Sequence, residues 1–157
     1  THHLLDSLAI LPHLDADRLL DVGSGAGLPG IPLAVARPRL EVVLCEASAK
    51  KCAFMRQVSF ELGLVNVEVW QGRVESFRKE TAFPRIVSRA FSNLGEFTRL
   101  TAHLLAPGGR WLAMKGALPK AEMAALRGVR VVRVERLDVP GLGAQRHLII
   151  LDKEPDA

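Results

Sequence analysis

The sequence predicts an α/β fold with a mostly parallel seven-stranded sheet, an antiparallel last strand and helices on both faces. Short apolar runs alternate with segments of helical periodicity, which is typical of parallel βαβ units. The first apolar run passes through a glycine-rich turn directly into a helix. The last two apolar runs are joined by a short glycine-rich segment. That segment is too short for a helical crossover, so these two strands must pair antiparallel.

Composition restricts the classes of protein to which the chain can belong. Its 157 residues, 48% of them hydrophobic, predict one domain with a core over residues 1–157. No apolar run approaches the ~20 residues of a membrane helix, and no signal-peptide pattern is present. Cys45 and Cys52 lack metal-ligand or disulfide-framework spacing, which fits a reducing cytoplasm. The net charge of +4 fits an acidic partner such as nucleic acid. We expect a monomer without a membrane partner or a bound metal.

The glycine-rich turn is the strongest local signal in the sequence. A short apolar strand over residues 19–22 leads into glycines at every second position, and a helix over residues 31–36 follows. Glycine fits here because a Cβ would block both the tight turn and a ligand that approaches the backbone. Asp21, just before the turn, can accept a hydrogen bond from a cationic or amine-bearing ligand. These glycines are Gly23, Gly25 and Gly27.

Three interpretations of this turn are open. The acid followed by alternating glycines resembles the first motif of the Rossmann-like S-adenosylmethionine methyltransferases. Residues 25–30 also match G-x-G-x-x-G, the dinucleotide fingerprint, which is a weak signal on its own. A turn without a ligand is the third interpretation, but so many glycines would cost backbone entropy without packing anything. Asp21 favours S-adenosylmethionine over a nicotinamide dinucleotide.

Two of the predicted strands end in candidate ligand contacts. A strand over residues 41–46 ends in Glu46, at the interval from the glycine turn at which an acid reaches the ribose hydroxyls of a bound nucleoside. A strand over residues 67–71 leads to Val74 and Glu75, which are candidates for the edge of the adenine ring. An ordinary strand-to-helix turn is the competing interpretation of these last two residues.

Helical periodicity predicts two helices in the first half of the chain. Leucines at positions 4, 8 and 11 define a helix that Pro12 interrupts, and the polar side chains His2, His3 and Asp6 are expected at its solvated end. A second helix over residues 49–62 begins after Ser48, a good N-cap, and ends before Gly63. One face of this helix is expected to be buried: Cys52, Met55, Val58 and Leu62.

Fewer elements in the second half carry chemistry. The predicted elements are a strand within 83–91, a helix from Ser92 to Leu105, a strand at 111–114 after a turn at 105–110, a helix between Pro119 and Gly128, and strands at 129–139 and 147–152. The end of the fourth strand lacks both the Asn-Pro-Pro-Tyr cradle for an exocyclic amine and a cysteine nucleophile. Arg89 lies there instead and can hold a phosphate or the edge of a base.

A set of short motifs, in order along nearly the whole chain, defines a closer resemblance. They are His3-x-Leu5-Asp6-Ser7, Asp21 to Leu33 with the run Leu28-Pro29-Gly30-Ile31-Pro32, Lys50-Lys51, Arg73-Val74-Glu75, Ser88-Arg89-Ala90-Phe91, Met114-Lys115-Gly116 and Arg146-His147-Leu148. The sequence resembles the bacterial small-subunit ribosomal RNA guanine-N7 methyltransferases, the RsmG family, formerly called glucose-inhibited division protein B. The resemblance implies the Rossmann-like class I methyltransferase fold. It also implies an N-terminal helical segment in family members that we expect this chain to lack.

The resemblance further implies a reaction and a set of contacts. A methyl group would pass from S-adenosylmethionine to N7 of a guanine in a loop of 16S ribosomal RNA near the decoding site. The acceptor would be 16S RNA or the assembling small subunit. Glu46 departs from the aspartate that is common in the family. Cofactor contacts would come from Gly23, Leu28, Val74, Glu75 and Arg89, with Asp21, Gly25 and Glu46 in supporting roles.

The chemistry of N7 predicts a site without a general base. Guanine N7 has an in-plane lone pair and no hydrogen, so catalysis reduces to holding it in line with an activated methyl group. Arg89, Lys115 and Arg146 are candidates for positioning the base through O6 or a nearby phosphate. A nicotinamide-dependent oxidoreductase, a non-catalytic RNA-binding or assembly factor, and a methyltransferase for small molecules are the alternatives.

Overall fold

The structure, a computed structural model, describes residues 2–89, 91, 93–141 and 143–155. Seven strands form its sheet: β1 (Arg18–Val22), β2 (Glu41–Glu46), β3 (Val67–Gln71), β4 (Phe83–Ser88), β5 (Leu105–Lys115), β6 (Val129–Arg136) and β7 (His147–Lys153). Five α-helices accompany them: α1 (His2–Leu8), α2 (Gly30–Ala36), α3 (Ala49–Glu61), α4 (Leu94–Thr101) and α5 (Lys120–Ala124). Single 3-10 turns lie at Leu11–His13, Val74–Ser76 and Ala102–Leu104.

The strand order confirms the predicted fold class. The sheet runs β3-β2-β1-β4-β5-β7-β6, and the first five of these strands are mutually parallel. β7 pairs antiparallel with both β5 and β6, as the short connection before it requires. The carboxyl ends of the five parallel strands therefore lie at one edge of the sheet.

Alternating side chains along the strands build a hydrophobic core on each face of the sheet. Leu19 and Leu44 belong to the core that α2 and α3 cover, whereas Leu20 and Trp111 belong to the core that α4 covers. These four side chains are all fully buried. Because successive strand residues point to opposite faces, one apolar run supplies both layers.

The boundaries of β5 and of the helix before it differ from the prediction. The predicted turn at residues 105–110 is the first half of the strand, because Leu105 is buried and pairs with Phe83 of β4. The register between these strands shifts before Arg85, and this irregularity accommodates the proline and glycines of the segment. α4 ends at Thr101 rather than Leu105, and its N-cap is Asn93. The predicted cap, Ser92, lies outside the described residues.

Three other helices, α1, α3 and α5, also end earlier than predicted. α3 begins after Ser48, whose hydroxyl accepts a hydrogen bond from the Lys51 amide at 3.3 Å, which confirms the predicted cap. It ends at Glu61, so Leu62 lies beyond the last turn and is 55% exposed instead of buried. α1 ends at residue 8 and α5 at residue 124, each before its predicted terminus. In the described part of the chain, none of the helices has the length and apolarity that a membrane span demands.

Candidate functional site

A cleft lies at the edge of the sheet where the parallel strands end. Its volume is about 270 Å3. The loops after β1, β2 and β3 form one side, and α4 with the residues before it forms the other. Ligands of open α/β sheets bind in such a crevice. The residues that line it are Val22, Gly23, Cys45, Glu46, Ala47, Gly72, Arg73, Val74, Glu75, Phe91, Glu96 and Leu100.

The glycine-rich loop after β1 has the conformation that its sequence predicts. Gly23, Gly25 and Gly27 have φ angles of 70°, 59° and 91°, a region that side chains with a Cβ rarely adopt. The Gly23 amide donates to the Cys45 carbonyl at 2.8 Å, which ties this loop to the end of β2. The loop therefore presents bare backbone at the cleft and turns directly into α2.

Asp21 lies beneath the glycine loop and has no exposed surface. Its Oδ2 accepts a hydrogen bond from the Gly30 amide at 2.8 Å, while Oδ1 has no hydrogen-bond partner among the described residues. A carboxylate enclosed in this way acts on a ligand through the loop, so the prediction of a direct bond from Asp21 to a ligand amine is corrected to a supporting role. Desolvation raises the pKa of Asp21 well above its ordinary value, and the Gly30 amide and the Arg89 charge oppose that rise.

Asp21→Asn is expected to change how stability depends on pH. A raised pKa means that the folded chain binds the Asp21 proton more tightly than the unfolded chain, whose value is near 3.8. The stability contributed by the protonated acid is therefore present below that value and is lost as pH rises through the folded pKa. The free energy of unfolding of the wild type, relative to Asp21→Asn, should fall as pH rises from 4 to 8 in urea titrations.

Asp15→Asn is the control for this prediction because its slope has the opposite sign and lies below pH 3.8, so from pH 4 to 8 its profile should run nearly parallel to that of the wild type. The hydrogen bond from Arg85 lowers the pKa of Asp15, so its stabilising effect is present above 3.8 and is lost on acidification. Parallel pH profiles for wild type and Asp21→Asn would contradict the assignment of Asp21 as a buried, reluctantly ionised acid.

Glu46 joins two loops of the cleft. Its Oε1 accepts from the Gly25 amide and its Oε2 from the Ser48 amide, each at 2.9 Å. The carboxylate thus holds the glycine loop against the start of α3. Each oxygen has further lone-pair capacity and the residue lines the cleft, so the ribose contact predicted for Glu46 stays compatible with this geometry.

The loop after β3 brings Val74 and Glu75 to the cleft, as the sequence predicts. Val74 is buried and opens a 3-10 turn, whereas Glu75 is exposed. Sequence reasoning missed Glu96 of α4, which lines the same cleft together with Phe91 and Leu100. The position of Glu96 in the first turn of the helix after β4 was the available signal. The cleft therefore combines three carboxylates with apolar walls.

Cys45 also lines the cleft, but its chemistry is restricted by burial. Desolvation, with the nearby Glu46 charge, raises the pKa of Cys45 to about 12. A thiol with that pKa stays protonated at neutral pH and is a poor nucleophile. Cys45 therefore does not replace the cysteine nucleophile that the end of β4 lacks.

Besides Asp21, three of the predicted cofactor contacts lie near the cleft without lining it. Leu28 is half-buried in the glycine loop, where Gly25 is also partly exposed. Arg89 directly follows β4, and its Nη2 lies 3.1 Å from Nδ1 of His3 and 3.8 Å from Oδ2 of Asp6. The structure therefore brings Arg89 to α1 and not to the wall of the cleft.

The three positioning candidates separate into two groups. Arg146 lies beside Arg89, because its Nε is 3.5 Å from the other oxygen of Asp6. Lys115, at the end of β5, is held apart from them by Glu122 Oε1 at 3.0 Å and by the Phe91 carbonyl at 3.1 Å.

Asp6 is the largest departure from the predicted site. Spacing predicts a solvated helix end for it, yet the residue is only 4% exposed. Ser7 beside it is fully buried and donates to the His3 carbonyl at 2.8 Å, which fixes this turn of α1. A signal for Asp6 exists only in its membership of the His3-x-Leu5-Asp6-Ser7 motif.

Comparisons with known proteins identify a family and confirm the fold. The family model described as rRNA small subunit methyltransferase G, GidB, matches residues 1–149. Relatives named ribosomal RNA small subunit methyltransferase G include that of Aromatoleum aromaticum, 58% identical over 98% of this chain and 75% of the relative. The relative of the same name from Chromobacterium violaceum is 54% identical over 95% of this chain and 72% of the relative.

Solved structures at low sequence identity share the architecture. A methyltransferase from Thiobacillus denitrificans in complex with S-adenosyl-L-homocysteine has a TM-score of 0.70 at 15% identity, covering 98% of this chain and 92% of its own. The mitomycin 7-O-methyltransferase MmcR has a TM-score of 0.80 at 18% identity, covering 96% of this chain and 54% of its own. These likenesses establish the fold alone.

Proposed function

The chain belongs to the rRNA small subunit methyltransferase G family, and from this premise we propose that it transfers a methyl group from S-adenosylmethionine to N7 of a guanine in 16S ribosomal RNA. The acceptor guanine lies in a loop near the decoding site. The cleft formed by the glycine loop, Glu46 and Glu75 is the observation that carries the proposal. Membership of this family excludes the nicotinamide-dependent oxidoreductase that the sequence alone left open.

The residues of the cleft fit S-adenosylmethionine. The bare backbone around Gly23 and Gly25 admits a close ligand, and Glu46 can accept from ribose hydroxyls. Val74 supplies an apolar surface for adenine beside the carboxylate of Glu75. Leu28 and Arg89, which lie near the cleft without lining it, complete the proposed set, with Asp21 as support. The carboxylates suit a ligand that carries an ammonium and a sulfonium. When bound, this cofactor supplies a methyl group that is already activated for transfer.

The chain then needs to orient the guanine and exclude water. N7 carries a lone pair and no proton, so no side chain has to act as a general base. None of the described residues that line the cleft is a histidine or a lysine. We assign Arg89 and Arg146 to the acceptor side, where a guanidinium can donate to O6 or to a phosphate. Lys115 shapes that side through the Phe91 carbonyl.

The substrate is 16S RNA or the assembling small subunit, and the enzyme acts on it as a monomer in the cytoplasm. N7 faces the deep major groove of paired RNA, which side chains reach poorly, so the target base is unpaired or in a loop. Basic side chains at the carboxyl edge of the sheet supply attraction to the RNA backbone. They are Arg73, Arg89, Lys115 and Arg146.

Labelled methyl transfer from S-adenosylmethionine to 16S RNA and to assembling subunits tests the proposal. Borohydride reduction and aniline cleavage cut RNA at 7-methylguanosine, so one cut in a loop near the decoding site is expected. Label without that cut would contradict N7 as the acceptor atom. No label despite measurable cofactor binding would contradict the enzyme and favour an assembly factor, and label only on small molecules would overturn the RNA substrate.

A further inference from the structure

A buried carboxylate lies between two arginines at the carboxyl edge of the sheet. The Asp6 side chain is 5% exposed, whereas Arg89 and Arg146 are 24% and 30% exposed. The Asp6 oxygens lie 3.8 Å from Arg89 Nη2 and 3.5 Å from Arg146 Nε. Both guanidinium groups therefore converge on one acid, Arg89 from the residue after β4 and Arg146 from the residue before β7, and each keeps a part of its surface in solvent.

The contacts of this cluster are ion pairs, not a closed network of hydrogen bonds. Asp6 Oδ1 is buried without a hydrogen-bond partner among the described residues, although the Arg146 guanidinium lies beside it. Arg146 also donates to the Gln145 carbonyl at 3.1 Å, and Arg89 contacts His3. The remaining N–H groups of the two arginines are those that a ligand at this edge can use. Two cations and one anion give the cluster a net charge of +1.

That net charge bears on the reaction, because methylation changes the charge of the base. A bond forms between N7 and the methyl carbon while the carbon–sulfur bond breaks, and its electron pair stays on sulfur. No proton leaves, so the neutral guanine becomes a cation. Arginines that attract RNA also repel this charge, and the repulsion between unit charges several ångströms apart in a partly buried site is substantial.

We propose that Asp6 is a positioning residue that holds Arg89 and Arg146 together and offsets one of their charges, so that the acceptor side attracts RNA without strongly opposing the cationic 7-methylguanine. This inference rests on the proposed function. Asp6 acts through the two arginines and through its field, and it needs no contact with the base. The acid therefore sets the balance between RNA binding and methyl transfer.

The test compares two short RNAs that carry either guanine or 7-methylguanine at the target position. Dissociation constants are measured without cofactor for the wild type and for Asp6→Asn, which has nearly the same shape. The ratio of the constant for methylated RNA to that for unmodified RNA is expected to rise about three- to tenfold in Asp6→Asn. The single-turnover rate of methyl transfer should fall by a similar factor. The affinity for unmodified RNA should hold or improve.

Asp15→Asn is the matched control. It also removes one negative charge from an arginine pair, but its partner is Arg85, at the opposite edge of the sheet. For Asp15→Asn, the ratio of the two dissociation constants should equal that of the wild type. If Asp6 had only a structural role, its replacement would weaken the binding of both RNAs by the same factor. An unchanged ratio in Asp6→Asn would therefore overturn the inference.

A second variant keeps the test valid if Asp6→Asn does not fold. Arg146→Gln leaves Asp6 opposite Arg89 alone and makes the cluster neutral, so the same ratio should fall below that of the wild type. A ratio that stays the same or rises would also overturn the inference. Failure of the proposed function is separate, since it would be seen as a wild type that does not methylate 16S RNA or assembling subunits.

Discussion

Gly25→Val is expected to cause a large loss of affinity for S-adenosylmethionine while the chain still folds. Gly25 has a φ of 59°, which costs a residue with a Cβ about 1–2 kcal/mol. An added Cβ meets no atom of the protein within 4 Å, so the new side chain would occupy the space through which a ligand approaches the loop. Displacing the loop would also break the bond from the Gly25 amide to Glu46. Titration calorimetry should show a loss of affinity of about 100-fold or more.

Gly63→Val is the control for this substitution. Gly63 has a φ of 64°, and a Cβ there also meets no atom within 4 Å, but it lies after α3 and away from the cleft. Both variants should lose similar stability in thermal melts. Only Gly25→Val should lose the cofactor. Equal loss of affinity in both variants, or unchanged affinity in Gly25→Val, would contradict the proposed cofactor site.

Gly30→Ala is expected to destabilise the protein by about 3 kcal/mol, a large effect for one methyl group. A Cβ at this buried position would lie 2.3 Å from Leu44 Cδ2 and 2.8 Å from Asp21 Oδ2. The Leu44 side chain is fully buried, and the carboxylate accepts from the Gly30 amide itself, so neither neighbour can move without a further cost. Urea denaturation measures the change in the free energy of unfolding.

Gly95→Ala separates this crowding from the general effect of replacing a helical glycine. Gly95 lies in the first turn of α4, where a Cβ would meet only Asn93 Oδ1, at 3.1 Å. Alanine favours helix by up to about 1 kcal/mol over glycine, so this control should change stability by less than that amount. A loss in Gly30→Ala no larger than in the control would show that α2 can shift away from the sheet.

The strands of this fold were predictable because each carries its own pattern. Residues 41–46 and 67–71 have the predicted bounds, and the short link before residue 147 was enough to place β7 antiparallel. The start of β5 was missed because Pro107 and Gly108 are typical of turns. Only the pairing of Leu105 with β4 shows that the segment continues the sheet. Local turn chemistry was overridden by a contact distant in sequence.

The residues of the candidate site also fall into those that local sequence predicts and those that depend on contacts distant in sequence. The glycine loop, Glu46 and the pair after β3 lie within or directly after predicted elements, and the structure brings most of them to one cleft. Asp6 could not be placed from spacing, because its partners come from the residue after β4 and from the residue before β7. The environment of an ionisable side chain depends on tertiary contacts that local periodicity does not encode.

The place of β7 inside the sheet has a consequence for the order of folding. Its residues Leu148, Ile149, Ile150 and Leu151 are at most 3% exposed, yet they are synthesised after the other six strands of the described sheet. Until then β5 has a free edge and β6 has no neighbour in the sheet. A nascent chain paused before residue 147 thus leaves open the edges of β5 and β6 that β7 covers in the folded sheet, and open β-edges are templates for aggregation.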